Sequence, residues 1–237
     1  MNMSLISKIY YINLDKRVDR RTFMENQLSE FDIPYERFPA VLVKRDELIN
    51  KNSEYKHIYN KFLPEHYYSK ITESEKQFRH YRGSIGAYIS FYSLLKSLVK
   101  TKQNESVLII QDDCVLKKGW FEIFQSFISN RDLPTDFDIL RCVWGQKNRT
   151  YVKKIETNHI FSKNKETKTT NLFGGAHFTL INKNSVKKVY EYLEKSFVYQ
   201  IDALLWTTHL NAYHAKFNGK VDYLPGHLSD CDPKLEH

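Results

Sequence analysis

Cysteine is scarce in this chain: Cys114, Cys142 and Cys231 are the whole complement of 237 residues. Three is an odd number, and their separations match no metal-ligand spacing, so neither a disulfide framework nor a cysteine-built metal centre is expected. Free thiols suit a reducing compartment, and a cytoplasmic location is the expectation. Long apolar runs are missing too. No stretch approaches the roughly 20 residues that span a bilayer, and Met1–Lys8 lacks the apolar core of a signal peptide. Also absent are an internal repeat and a low-complexity linker, which leaves a single domain as the expectation.

What is present is a globular composition, 41% hydrophobic and 14% aromatic, at a length able to bury a full core. The domain is expected over residues 1–234. Leu235-Glu236-His237 looks like the start of a purification-tag scar, so the natural chain is expected to continue differently there. Residues 44–80 are charged, tyrosine-rich and weakly periodic, and suggest a surface insertion. The formal charge of +8, from 36 basic and 28 acidic residues, attracts anions in general. It leaves nucleotide phosphates, acidic glycans and peripheral contact with an anionic membrane open. Nucleic acid is less supported, because the basic residues are scattered without a binding signature.

Lys8–Leu14 reads as a buried strand, followed by a helix from about Asp19 to Phe31 and a strand over Tyr35–Val41. Gly83-Ser84-Ile85-Gly86 opens a helix to about Val99. Further strands are expected over 107–110, 137–143 and 176–181, with helices near 120–128, 185–193 and from Asp202 onward. Asn218-Gly219 signals a hairpin between Tyr213–Phe217 and Lys220–Leu224. Strands alternating with helices predict an α/β layered fold with a mostly parallel central sheet, helices on both faces and a small antiparallel extension late in the chain.

The strand Val107-Leu108-Ile109-Ile110 ends on Gln111-Asp112-Asp113. Adjacent aspartates at the end of a buried strand are costly unless something positive neutralises them. Ligands of open α/β sheets collect beyond the carboxyl ends of the strands. A divalent cation carrying a phosphorylated ligand meets both conditions; a solvated turn near Lys117 and Lys118 is the bland alternative.

Other segments stand in a telling order. They are Ile12-Asn13-Leu14-Asp15-Lys16-Arg17-Val18-Asp19-Arg20-Arg21, Phe38-Pro39-Ala40-Val41, Arg82-Gly83-Ser84-Ile85-Gly86-Ala87-Tyr88-Ile89-Ser90, Gly174-Gly175-Ala176-His177-Phe178, Gln200-Ile201-Asp202 and Leu228-Ser229-Asp230. With the acidic doublet, this set resembles glycosyltransferase family 25, which includes lipopolysaccharide-type and collagen galactosyltransferases. The resemblance implies a GT-A-type, Rossmann-like fold. It also implies an inverting transfer of a hexose from a UDP-sugar to a glycan or glycosylated protein or lipid, assisted by Mn²⁺ or Mg²⁺. It places Asp113 on the metal, Asp112 at the metal edge or the ribose, and Gln111 at ribose or base. Asp230, with His227 as competitor, is a further metal ligand. Asn13 and Leu14 cradle the nucleoside. Arg20 reaches the diphosphate or lies on a solvated helix face. Gly83 and Gly86 let backbone approach the ligand at a helix start. Asp202 is either the base that takes the acceptor's proton or a helix N-cap.

The chain departs from the family pattern at Gln111, Ser84, Ala87 and Phe91, where the family usually carries Glu, Glu, Cys and His. Fewer acids make the site less anionic, and Phe91 removes a polar group that helps shape a pocket. A catalytically degenerate nucleotide-sugar or glycan binder is therefore the alternative function.

Overall fold

The computed structural model describes residues 6–50, 54–59, 73–101, 105–128, 135–142, 161–163, 176–196, 201–205, 209–215 and 221–223. Its strands are β1 (Ile6–Asn13), β2 (Tyr35–Pro39), β3 (Ser106–Gln111), β4 (Cys114–Leu116), β5 (Ile139–Cys142), β6 (Phe161–Lys163), β7 (Phe178–Ile181), β8 (Ala212–Ala215) and β9 (Val221–Tyr223). Its helices are α1 (Val18–Leu28), α2 (Arg45–Asn50), α3 (Lys56–Tyr59), α4 (Glu75–Lys100), α5 (Trp120–Ile128), α6 (Val186–Lys195) and α7 (Ile201–Leu204).

Seven strands form one sheet in the order β2-β1-β3-β7-β5-β8-β6. β2, β1 and β3 run parallel, β7 opposes both β3 and β5, and β5 and β8 are parallel again. Edge strand β6 is antiparallel to β8. The sheet is mixed but mostly parallel in direction, as expected of an α/β Rossmann-like fold. β4 and β9 make a separate antiparallel pair that joins the middle of the chain to its late part.

The period-two alternation of strand side chains divides the core. On β3, Val107 and Ile109 face Ile85, Ile89 and Leu193 from the α4 and α6 layer. Leu108 and Ile110 face Met24, Leu28, Trp120 and Phe124 from α1 and α5. A strand buried on both faces needs an unbroken apolar run, and each such side chain contributes about 1.5–3 kcal/mol on burial. Within the 44–80 stretch, Leu48, Ile58 and Phe78 are buried in the α4 layer.

Two local expectations are corrected. The helix expected to open at Gly83 begins at Glu75, where Ser74 Oγ caps the Gln77 amide at 3.4 Å. Phe78 extends the buried stripe one repeat upstream of Ile85. Gly83 and Gly86 therefore lie inside α4, and their amides serve its own ladder rather than an anion. The hairpin expected around Asn218-Gly219 does not form between β8 and β9. Both edges of β8 are occupied, by β5 and β6, and β9 pairs with β4 instead.

Candidate functional site

The carboxyl ends of β1 and β3 lie side by side, with Ile12 in register with Gln111. After β1 the chain turns through Asp15-Lys16 into α1; after β3 it turns through Asp112-Asp113 into β4. Following β2, Ala40–Leu42 runs against α4. These segments border an open cleft of about 740 Å³, its mouth included. One wall carries Leu14, Lys16 and Arg20; the other carries Ala40, Val41, Leu42 and, from α4, Arg82, Gly83, Gly86, Ala87 and Ser90; Gln111, Asp112 and Asp113 complete the lining. The cleft sits where an open α/β sheet places its ligands.

The acidic doublet is held by backbone on both sides. The Gln111 amide donates to the His177 carbonyl at 3.0 Å and the Asp112 amide to the Ile12 carbonyl at 3.2 Å. Gln27 of α1 steadies the following strand, its amide donating to the Cys114 carbonyl at 3.2 Å and its Oε1 accepting from the Leu116 amide at 2.7 Å.

The two aspartates then part company. Asp112 is buried, and both of its oxygens are engaged: Asn13 Nδ2 donates to Oδ2 at 2.7 Å and Arg20 Nη1 to Oδ1 at 3.1 Å. Burial pushes its carboxyl above the ordinary range, Arg20 and Asn13 oppose that, and the charge of Asp113 adds to it. Asp113 Oδ2 lies 3.2 Å from His177 Nε2. Burial raises this carboxyl too, but His177 and then Arg20 outweigh it, so Asp113 titrates below its usual value. Its other oxygen, Oδ1, is buried without a hydrogen-bond partner.

The charge that the doublet demands is thus met partly by the protein itself. Arg20 does not lie on a solvated helix face; it lines the cleft, is 4% exposed and is paired with Asp112. Asn13 is not part of the cleft lining. Its amide also donates to the Arg17 carbonyl at 3.1 Å, and its Oδ1 accepts from Arg37 Nε at 3.0 Å, so it acts as a buried hub behind the cleft. Phe91 is wholly buried in the α4 core and is not among the residues that line this cleft. Gly86 is a close-approach position. Any Cβ there would meet the Val41 carbonyl oxygen at 2.5 Å.

The cleft therefore gathers Leu14, Arg20, Gly83, Gln111, Asp112 and Asp113 from three distant segments. Asp202 belongs to α7, one position past its first residue, which places its backbone inside the turn rather than at the N-cap; its side chain lies outside the described residues, as do Asp230 and His227. Lys16, Arg82, Ser90 and His177 had no assigned role in the sequence reading. Each stands within or beside a quoted motif, and only the fold brings them to one place. Among the described residues no three His, Cys, Asp or Glu side chains gather as a metal site. What does suit a cation is the orphaned Oδ1 of Asp113, since both Asp112 oxygens are spoken for.

A Rossmann-like α/β sheet with an acid- and arginine-lined cleft at its carboxyl end has the layout of a ligand-binding α/β protein of the nucleotide-handling class. The family model of glycosyltransferase family 25 (LPS biosynthesis protein) matches residues 6–205, and the chain belongs to that family. A "Glycosyltransferase 25 family member" of Aedes aegypti is 32% identical over 111 residues, covering 46% of this chain and 16% of the relative. One of the same name from Anopheles gambiae is likewise 32% identical over 111 residues, covering 46% of this chain and 17% of the relative. The chain thus matches only a minor part of the length of these curated relatives. Among the described residues no helix is long and apolar enough to cross a membrane.

Proposed function

We propose that this glycosyltransferase family 25 domain moves a hexose, of galactose or glucose type, from a UDP-sugar to a glycan or glycosylated acceptor, with inversion at the anomeric carbon. The reading rests on one observation above all: a carboxylate oxygen of Asp113, buried and unpartnered, in a cleft that also carries Lys16, Arg20 and Arg82. Asp113 is the residue that would hold Mn²⁺ or Mg²⁺, with Asp230 as a further ligand. Such an ion supplies Lewis-acid neutralisation of the diphosphate leaving group.

In this reading the nucleoside lies toward Leu14 and Gln111. The acceptor oxygen attacks the anomeric carbon opposite the phosphate, the bond from that carbon to the phosphate oxygen breaks, and UDP leaves with the electron pair. Asp202 takes the acceptor's proton. Scarce cysteine supports a cytoplasmic setting.

Turnover of UDP-sugars with and without Mn²⁺, over a panel of glycan acceptors, is the direct test. Absence of both turnover and nucleotide binding across that panel retires the proposal. Asp113→Ala is expected to abolish metal-dependent nucleotide binding; Asp202→Asn is expected to impair transfer while sparing donor affinity. A second reading, a nucleotide-sugar binder without transfer, draws support from Gln111 lining the cleft where the family usually carries an acid. Calorimetry showing UDP-sugar binding with no glycosyl product selects it.

A further inference from the structure

The cations around the cleft differ in how far they are already committed. Arg17 is paired with Asp19 at 2.8 Å, Arg20 with Asp112 at 3.1 Å, and Arg37 with Asp15 and Asn13. Lys16 and Arg82 are different. Both line the cleft, and among the described residues neither makes an ion pair or a side-chain hydrogen bond. They come from separate walls, Lys16 from the β1–α1 turn and Arg82 from α4. Counted over the whole lining, Lys16, Arg20 and Arg82 face only Asp112 and Asp113, so the cleft is net positive with protein groups alone.

Two uncommitted cations approaching from two sides suit an anion with two charged centres better than one with a single centre. Arg82 offers a planar fork for phosphate oxygens; Lys16 offers a mobile point charge on an exposed stem. The β3 end cannot do this work, because its exposed charge is negative and Arg20 is spent on Asp112. We infer that Lys16 and Arg82 form a two-sided clamp for a diphosphate, which holds that group in the cleft without a metal ion. The inference rests on the nucleotide-sugar reading for the rest of the ligand, and it separates two duties. The clamp gives the diphosphate affinity, and a cation at Asp113 adds to it.

The test is calorimetric titration of the full chain in EDTA with four probes: inorganic pyrophosphate, UDP, UMP and uridine. Pyrophosphate and UDP are expected to bind, with UMP weaker. Lys16→Gln and Arg82→Gln are each expected to weaken pyrophosphate and UDP by about tenfold, a charge-assisted hydrogen bond apiece, and to flatten the salt dependence. Arg82→Lys should recover part of the loss. Unchanged thermal melting establishes that the variants remain folded. Pyrophosphate that binds only after Mn²⁺ is added, or binds the double variant as well as wild type, overturns the clamp. Pyrophosphate binding that depends on both residues, with UDP no tighter than pyrophosphate, leaves the clamp standing and removes the nucleotide donor instead.

Discussion

Gly86→Ala sets local propensity directly against tertiary packing. Gly86 is buried within α4, where replacing glycine by alanine ordinarily gains about 1 kcal/mol of helix stability. Here the new methyl would stand 2.5 Å from the Val41 carbonyl oxygen, far inside carbon–oxygen contact, while its 3.9 Å distance to Val43 is ordinary. The obstacle is backbone, not the free end of a side chain. It is also tethered: the Val41 amide donates to Ser90 Oγ at 2.8 Å, and the Ser90 hydroxyl donates to the Gly86 carbonyl at 2.6 Å. Moving Val41 away strains these bonds, each worth about 1 kcal/mol. Overpacking of this kind costs roughly 1–3 kcal/mol, at the upper end against backbone, so the net expectation is a loss of about 1–2 kcal/mol after the propensity gain. Urea unfolding followed by tryptophan fluorescence should show a lower midpoint at unchanged slope. Because Val41 and Gly86 both line the cleft, UDP affinity should fall severalfold in the same variant. Equal or greater stability would refute the reasoning, since the Val41 carbonyl would then yield freely and close approach would not explain glycine at this position.

Arg20→Ala leaves Asp112 buried beside Asp113 with only Asn13 to support its charge, and should cost about 3 kcal/mol at neutral pH. The folded Asp112 carboxyl is already raised above 3.8. A raised carboxyl favours the fold only while protonated, and losing Arg20 raises it further, so the deficit relative to wild type should be full at neutral pH and shrink as pH falls through these raised folded values, above 3.8, measured by urea unfolding across pH. A deficit independent of pH would point to lost packing rather than lost charge. Asp112→Asn should likewise destabilise by about 3 kcal/mol, because it strands Arg20, whereas Asp113→Asn is expected to abolish the metal dependence of nucleotide binding. Asp138 ties α6 to β5 and β8, accepting from Ser185 Oγ at 2.6 Å, Lys188 Nζ at 2.5 Å and the Asn211 amide at 2.7 Å. Burial opposes ionisation there, but Lys188, Ser185 and Asn211 outweigh it and hold the carboxyl below 3.8. Its contribution is therefore present above the unfolded value and lost as pH falls through the lower folded one. Asp138→Ala should cost about 2–3 kcal/mol at pH 7 and progressively less below pH 3.8, while Lys188→Ala, whose lysine is half-exposed, should cost under about 1 kcal/mol. Chemical denaturation at both pH values checks the pair.

Much of the architecture was legible because its signals are local and strong. The run 107–110 suits a strand buried on both faces, and its acidic end located the cleft. The start of α4 was not legible. Charged Glu75, Lys76 and Arg79 are exposed on it, and the buried stripe they flank shows upstream as Phe78. Gly83 and Gly86 looked like a helix boundary because glycine inside a helix is unfavourable; the reason for Gly86 lies 45 positions away, in Val41. Asn218-Gly219 is a sound local turn signal, yet strand pairing is settled by which edges remain open, and β8 had none.

Asn13 illustrates why the site itself was read only in part. A polar residue at the end of β1, beside the acidic doublet, has the look of a ligand contact from the sequence. Its amide is instead captured by Asp112, 99 positions later, and its carbonyl by Arg37 from the next strand. Sequence patterns report which residues can reach a cleft; they do not report which are consumed in building it. The doublet is the clearest case. Its two members are chemically identical and adjacent, yet the turn between β3 and β4 sets them differently: Asp112 against Arg20 and Asn13, Asp113 against His177. One carboxylate fixes the end of the sheet; the other, together with Lys16 and Arg82, is left lining the cleft.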